Sequence, residues 1–213
     1  MNGRTIYANI KKAIAYILVI HIPIILASLF VPLFGLPLLL LPIHVVLLEL
    51  IIDPTSSIIF QRFQPDRDIM QKPPRRLDES LLNKSIVIKC LLQGTVIFVV
   101  AFASYVYLLK TGSSQAFAST FAFTTLVFSN LLVVYVLQSK DYAIKNFILD
   151  LRDKIIVLIN VIILAIMLLF LYAPFFGQLI GSTPLSWLQI LLTFGLAMLS
   201  TMIFDLLKLR RSH

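Results

Sequence analysis

The chain has 213 residues, of which 59% are hydrophobic and only 13% charged, with a mean hydropathy of +0.96. A soluble domain carries about 25% charged residues, so this composition excludes an ordinary water-soluble globule and predicts an all-α integral membrane protein. The formal net charge of +8 falls in four short polar segments (residues 4–12, 62–84, 140–154 and 208–211), which argues for a topology signal and phospholipid contact and against nucleic acid as a partner.

Six stretches approach the roughly 20 apolar residues that a membrane span needs. They lie at about 10–31, 36–60, 84–109, 116–138, 154–172 and 186–207. The basic segments are expected to face the cytoplasm. The opposite connections, around 31–36, 111–115 and 173–185, carry almost no Lys or Arg apart from nearby Lys110. A multi-pass protein of the inner or plasma membrane with both termini cytoplasmic is therefore expected. The N-terminus shows no small-residue cleavage site, and no cleavable signal is expected. The single cysteine, Cys90, excludes an intramolecular disulfide and a multi-Cys metal site.

The first span is expected to begin below the membrane as a stalk. Ile6, Ile10, Ile14 and Ile17 recur at helical spacing, and Arg4, Lys11 and Lys12 take the other side. Pro23 interrupts this helix and frees the carbonyl of Val19, two residues before His21. In the second span Pro54 likewise frees the carbonyl of Leu50. Residues 61–83 form the longest polar connection, a cytoplasmic loop in which Pro65, Pro73 and Pro74 forbid a continuous helix.

The second span contains the strongest chemical signal, the carboxylates Glu49 and Asp53. A charge near the bilayer centre costs about 2.5–3.5 kcal/mol on insertion scales. At positions i and i+4 the two share one helix face and can offer oxygen to one ion. Depth counting places the midpoint of the first span near His21 and of the second near Glu49, with Asp53 about 6 Å nearer the cytoplasm. Carboxylates beside proline-freed carbonyls are a way of building a cation site at membrane depth. Glu49, Asp53, His21 and the Leu50 carbonyl are therefore the candidate cation- or proton-binding groups. A protonated, hydrogen-bonded carboxyl and a merely packed histidine are the competing readings. His44, about 140° around the helix from Glu49, is expected to line an exit path or to face headgroups.

The later spans carry neutral polar residues: Gln93 and Thr95, Ser129 and Asn130, Asn160, Thr193 and Ser200. These are expected to be interhelical glue. Asp205, near the end of the last span, is expected to form a salt bridge at the interface.

The segment GRTIYANIKKAIAYILVIHIPI at 3–24 resembles the fifth transmembrane helix of P-type cation ATPases, and LLLLPIHVVLLELIIDPTSSIIF at 38–60 resembles the sixth. QPDRDIMQKPPR at 64–75 is similar to the loop that follows, and FDLLKLRR at 204–211 to the end of the tenth helix. The resemblance implies the C-terminal six-helix half of a bacterial cation pump, and so the ion-translocating membrane module of one. In calcium-pump-like members the sixth helix supplies an amide, a hydroxyl and an aspartate, at positions held here by Glu49, Ile52 and Asp53. The fifth supplies an amide and a glutamate, at His21 and Ile24. The eighth-helix glutamate has no counterpart in SNLLVVYVLQSKDY. Calcium takes about 6–8 oxygens, so this thinner set suggests a proton, a monovalent ion or an unassigned cation.

The Asp-Lys-Thr-Gly phosphorylation motif of such pumps does not occur in these residues, and no residue here is assigned a catalytic role. ATP and magnesium are expected to act on other domains, and the chain to be a fragment, a split product or one half that assembles with the pump headpiece and first four helices. A non-catalytic scaffold or regulatory fragment derived from such a pump, and an independent secondary transporter, are the alternatives.

Overall fold

A computed structural model describes residues 2–63, 83–138, 143–175, 177 and 181–209, without the side chains of residues 2, 52, 53, 56, 144, 149 and 204–209. The described residues contain helices and connections and no strand. The helices are α1 (Asn2–Leu33), α2 (Pro42–Pro54), a π-helical turn (Thr55–Ile59), α3 (Phe60–Arg62), α4 (Lys84–Lys110), α5 (Gln115–Gln138), α6 (Ala143–Asp150), α7 (Lys154–Tyr172) and α8 (Trp187–Leu209). Among the described residues, four helices are long and apolar enough to cross a membrane: Gly3–Leu33, α4, α5 and α7. Pro42–Ile51 and Trp187–Ile203 are shorter apolar helices. The chain is an α-helical, membrane-embedded protein.

Helix α1 has 32 residues, about 48 Å at 1.5 Å per residue, and so exceeds a hydrocarbon core of about 30 Å. The expected interruption at Pro23 does not occur, because α1 runs unbroken through Pro23 and Pro32. In an apolar medium each further lost backbone bond would go uncompensated, so the helix keeps its geometry and gives up only the bond that Pro23 cannot make. The second span departs from α geometry directly after Pro54, where the chain widens into the π turn and then continues. It begins at Pro42 rather than 36, since residues 36–41 are not helical. The isoleucine row of α1 also faces outward, with Ile6, Ile10 and Ile17 exposed. The buried face instead carries Asn9, Ala15, Tyr16, Val19 and Ile20.

Helix α5 is the centre of the bundle and is buried along nearly its whole length, against α4 and α8. Four of its buried hydroxyls are tolerated there because they donate to the carbonyl one turn back. Thr120, Thr124, Thr125 and Ser129 bond Ala116, Thr120, Phe121 and Thr125, all at 2.8–2.9 Å. Asn83 and Asp153 cap α4 and α7, accepting from the N–H groups of Ile86 and Ile155. Gly112, at φ +85°, ends α4.

The connections gather at two ends. At one, Tyr105 Oη donates to the Pro37 carbonyl at 2.6 Å, and Gln115 and Ser119 both donate to Leu38 at 3.3 Å. The Thr183 N–H donates to Thr120 Oγ1 there as well. At the other end Arg62 Nε meets Asp153 Oδ2 at 2.7 Å, Asn9 donates to the Phe63 carbonyl, and Gln138 donates to Asp150. The loop expected at 61–83 lies outside the described residues from 64 to 82, and so does the side chain of Asp205.

Candidate functional site

Helices α1 and α2 bring His21 and Glu49 together. His21 Nε2 lies 3.2 Å from Glu49 Oε1, and each side chain is 37% exposed. The other ring nitrogen, Nδ1, is 2.7 Å from the carbonyl oxygen of Ile17, one turn back in α1. A carbonyl only accepts, which assigns a hydrogen to Nδ1. The Nε2–Oε1 contact is then attractive only if one proton lies within it. The contact links α1 to α2 through one side chain of each.

Tyr16 of α1 is fully buried, within electrostatic reach of Glu49 and beside Thr55. Thr55 Oγ1 donates to the Ile51 carbonyl at 2.8 Å. This bond sits at the junction where Pro54 lacks an N–H and the π turn begins. Leu50 has no α-helical donor from Pro54, and its side chain is exposed. Asp53 belongs to α2, but its side chain lies outside the described residues. The structure therefore joins two of the four candidates directly. Among the described residues no group of three or more His, Cys, Asp or Glu side chains could hold a metal ion.

His44 does not face headgroups. It is 1% exposed, stacks on Phe123 with ring centroids 4.9 Å apart, and accepts the Leu41 N–H at Nδ1. It acts as a cap at the start of α2, and it is buried because α5 covers this helix end. The glue reading holds for Asn160, which donates to Tyr135 Oη at 2.7 Å, and for Ser129 and Ser200, whose hydroxyl oxygens are 3.4 Å apart. It fails for Thr95, which is exposed, and for Thr193, which bonds only its own helix at Ile190. Gln93 is buried and its amide nitrogen has no partner.

Sequence reasoning missed Tyr16, Thr55 and Gly94. Thr55 carried a signal, since it follows the proline that breaks the backbone ladder. So did Gly94, an isolated glycine within an apolar helix. A methyl group at Gly94 would stand 2.7 Å from the Val19 carbonyl oxygen, the group freed by Pro23.

Residues 37–210 match the family described as Cation transporting ATPase, C-terminus. The chain is 32% identical over 139 residues to a calcium-transporting ATPase of Bacillus subtilis, covering 65% of this chain and 16% of that protein. It is 27% identical over 194 residues to the cation-transporting ATPase pma1 of Synechocystis, covering 88% and 21%. With calcium-transporting ATPase 1 of Lactococcus lactis it shares 25% identity over 207 residues, covering 97% and 23%. The chain thus spans less than a quarter of the length of these three relatives. It belongs to the C-terminal family of cation-transporting ATPases.

Proposed function

We propose that the chain is the ion-translocating membrane module of a P-type cation pump. In this reading it crosses the bilayer six times with both termini cytoplasmic. Its partners are the transported ion, the lipid and a headpiece with four further helices, where ATP and magnesium act. His21, Glu49, Asp53 and the Leu50 carbonyl form the binding site. The observation that carries this is the 3.2 Å contact between His21 and Glu49, which joins two apolar helices. A cation arriving at Glu49 competes with His21 for the same carboxylate.

Calcium is the ion named for several relatives. It takes about 6–8 oxygens, and Ile24 and Ile52 supply none where the resembling pumps have a glutamate and a hydroxyl. A proton or a monovalent cation fits the remaining groups better. The test is ion-stimulated ATP hydrolysis by the chain joined to its headpiece. Glu49→Gln and Asp53→Asn are each expected to abolish the stimulation. Unchanged stimulation in both variants would refute the site. Stable insertion with no ion flux in any variant or in the parent would favour the scaffold reading.

A further inference from the structure

The outer face of α7 carries a shallow, open groove of about 310 Å³ lined by Leu151, Lys154, Val157, Leu158 and Val161. Four of these are spaced three and four residues apart, so they form one helix face. From Lys154 to Val161 the groove descends about 10 Å, most of one leaflet of a core about 30 Å thick. Its walls are apolar and its single charge stands at the mouth.

The charges around that mouth are unbalanced. Arg152 and Lys154 are exposed and make no ion pair among the described residues. The two neighbouring acids are turned elsewhere. Asp153 holds Arg62 and the Ile155 N–H, and Asp150 accepts from Gln138. Helix α6 brings the exposed side chains of Phe147 and Ile148 to the same end, the pattern of a helix that lies in a membrane–water interface. We propose that this groove is a binding site for an anionic phospholipid. Lys154 and Arg152 receive the phosphate, and one acyl chain lies along Val157, Leu158 and Val161. The site rests on the membrane-embedded fold and is independent of the pumping reading.

The test uses the chain in phosphatidylcholine vesicles doped with spin-labelled phosphatidylglycerol or spin-labelled phosphatidylcholine. Phosphatidylglycerol is expected to be retained preferentially. Lys154→Gln and Arg152→Gln each lower the preference about fivefold, the factor equivalent to about 1 kcal/mol per basic side chain near a membrane surface. Leu158→Trp fills the groove and lowers it with the charges intact. Ile162→Trp, exposed on the same helix outside the groove, leaves it unchanged and reports that a tryptophan on α7 is tolerated. Equal retention of the two lipids overturns the proposal. So does an undiminished preference in Leu158→Trp, which would mean headgroup attraction by surface charge alone. Displacement of the labelled lipid by inorganic phosphate would also overturn it, in favour of a soluble anion.

Discussion

The backbone of Gly94 lies directly against the carbonyl oxygen of Val19. A Cβ at position 94 would meet that oxygen at 2.7 Å and Ile22 Cβ at 2.6 Å. The carbonyl that Pro23 leaves without a helical partner is thus covered by a neighbouring helix rather than by lipid. The absence of a side chain allows α4 to come that close.

Gly94→Ala should therefore destabilise the chain by about 1–3 kcal/mol, the usual cost of overpacking. Neither contact partner yields cheaply, since one is backbone and the other a β-branched side chain held in a helix. Thermal unfolding in detergent measures it. An unchanged midpoint would mean that α1 and α4 are not in this contact.

The His21–Glu49 contact predicts coupling. His21→Leu and Glu49→Leu are expected to be non-additive, with an interaction of about 0.5 kcal/mol, the low end for residues in direct contact. The low end applies because each side chain is 37% exposed and screening weakens such pairs. A double-mutant cycle on unfolding free energy gives the value directly, and strict additivity would show that the pair is not formed.

The helical class and most helix positions were legible in composition and hydrophobic run length, which depend on local sequence alone. Residues 154–172 coincide with α7. Which face of α1 packs inward was not legible, because its isoleucine row and its buried Tyr16 face are both apolar, and in lipid an apolar face need not be an inward one. The fate of Pro23 was illegible because it depends on Gly94, which lies far along the chain. The meeting of His21 and Glu49 was legible from depth counting. The Nδ1 contact with the Ile17 carbonyl was not, because it depends on the rotation of one ring.

Tyr105 fastens a non-helical segment to the bundle through the Pro37 carbonyl at 2.6 Å. Tyr105→Phe removes that donor and should cost about 1 kcal/mol. Amide hydrogen exchange across residues 36–41 should accelerate while α5 stays protected. Equal exchange in both proteins would show that Gln115 and Ser119 alone hold the segment.

Two aspartates at the opposite end should respond to acid in opposite ways. The hydrogen bond from Arg62 holds the Asp153 carboxyl below the usual carboxylate range. A lowered folded-state pKa contributes stability above the unfolded value of about 3.9, and that contribution is lost as pH falls through the folded value. Burial raises the Asp150 carboxyl. Its penalty is absent below the unfolded value and grows as pH rises through the folded one. Asp153→Asn should therefore lower the melting temperature at neutral pH and converge on the parent in acid. Asp150→Asn should raise it at neutral pH and also converge in acid. Melting curves of the three proteins across the carboxylate range check both signs, and a difference that does not change with pH would refute them.

The three donors on Pro37 and Leu38 have a mechanical consequence. They fasten the short link between α1 and α2 to α4 and α5, so the two helices carrying His21 and Glu49 share one anchored end. Displacement of α2 relative to α1 is then a swing about that anchor. Its amplitude rises with distance along the helix, being small at His44, larger at Glu49 and greatest at Arg62. The Arg62–Asp153 bond holds the far end of that lever, where a given force has the most purchase on the space between the two side chains.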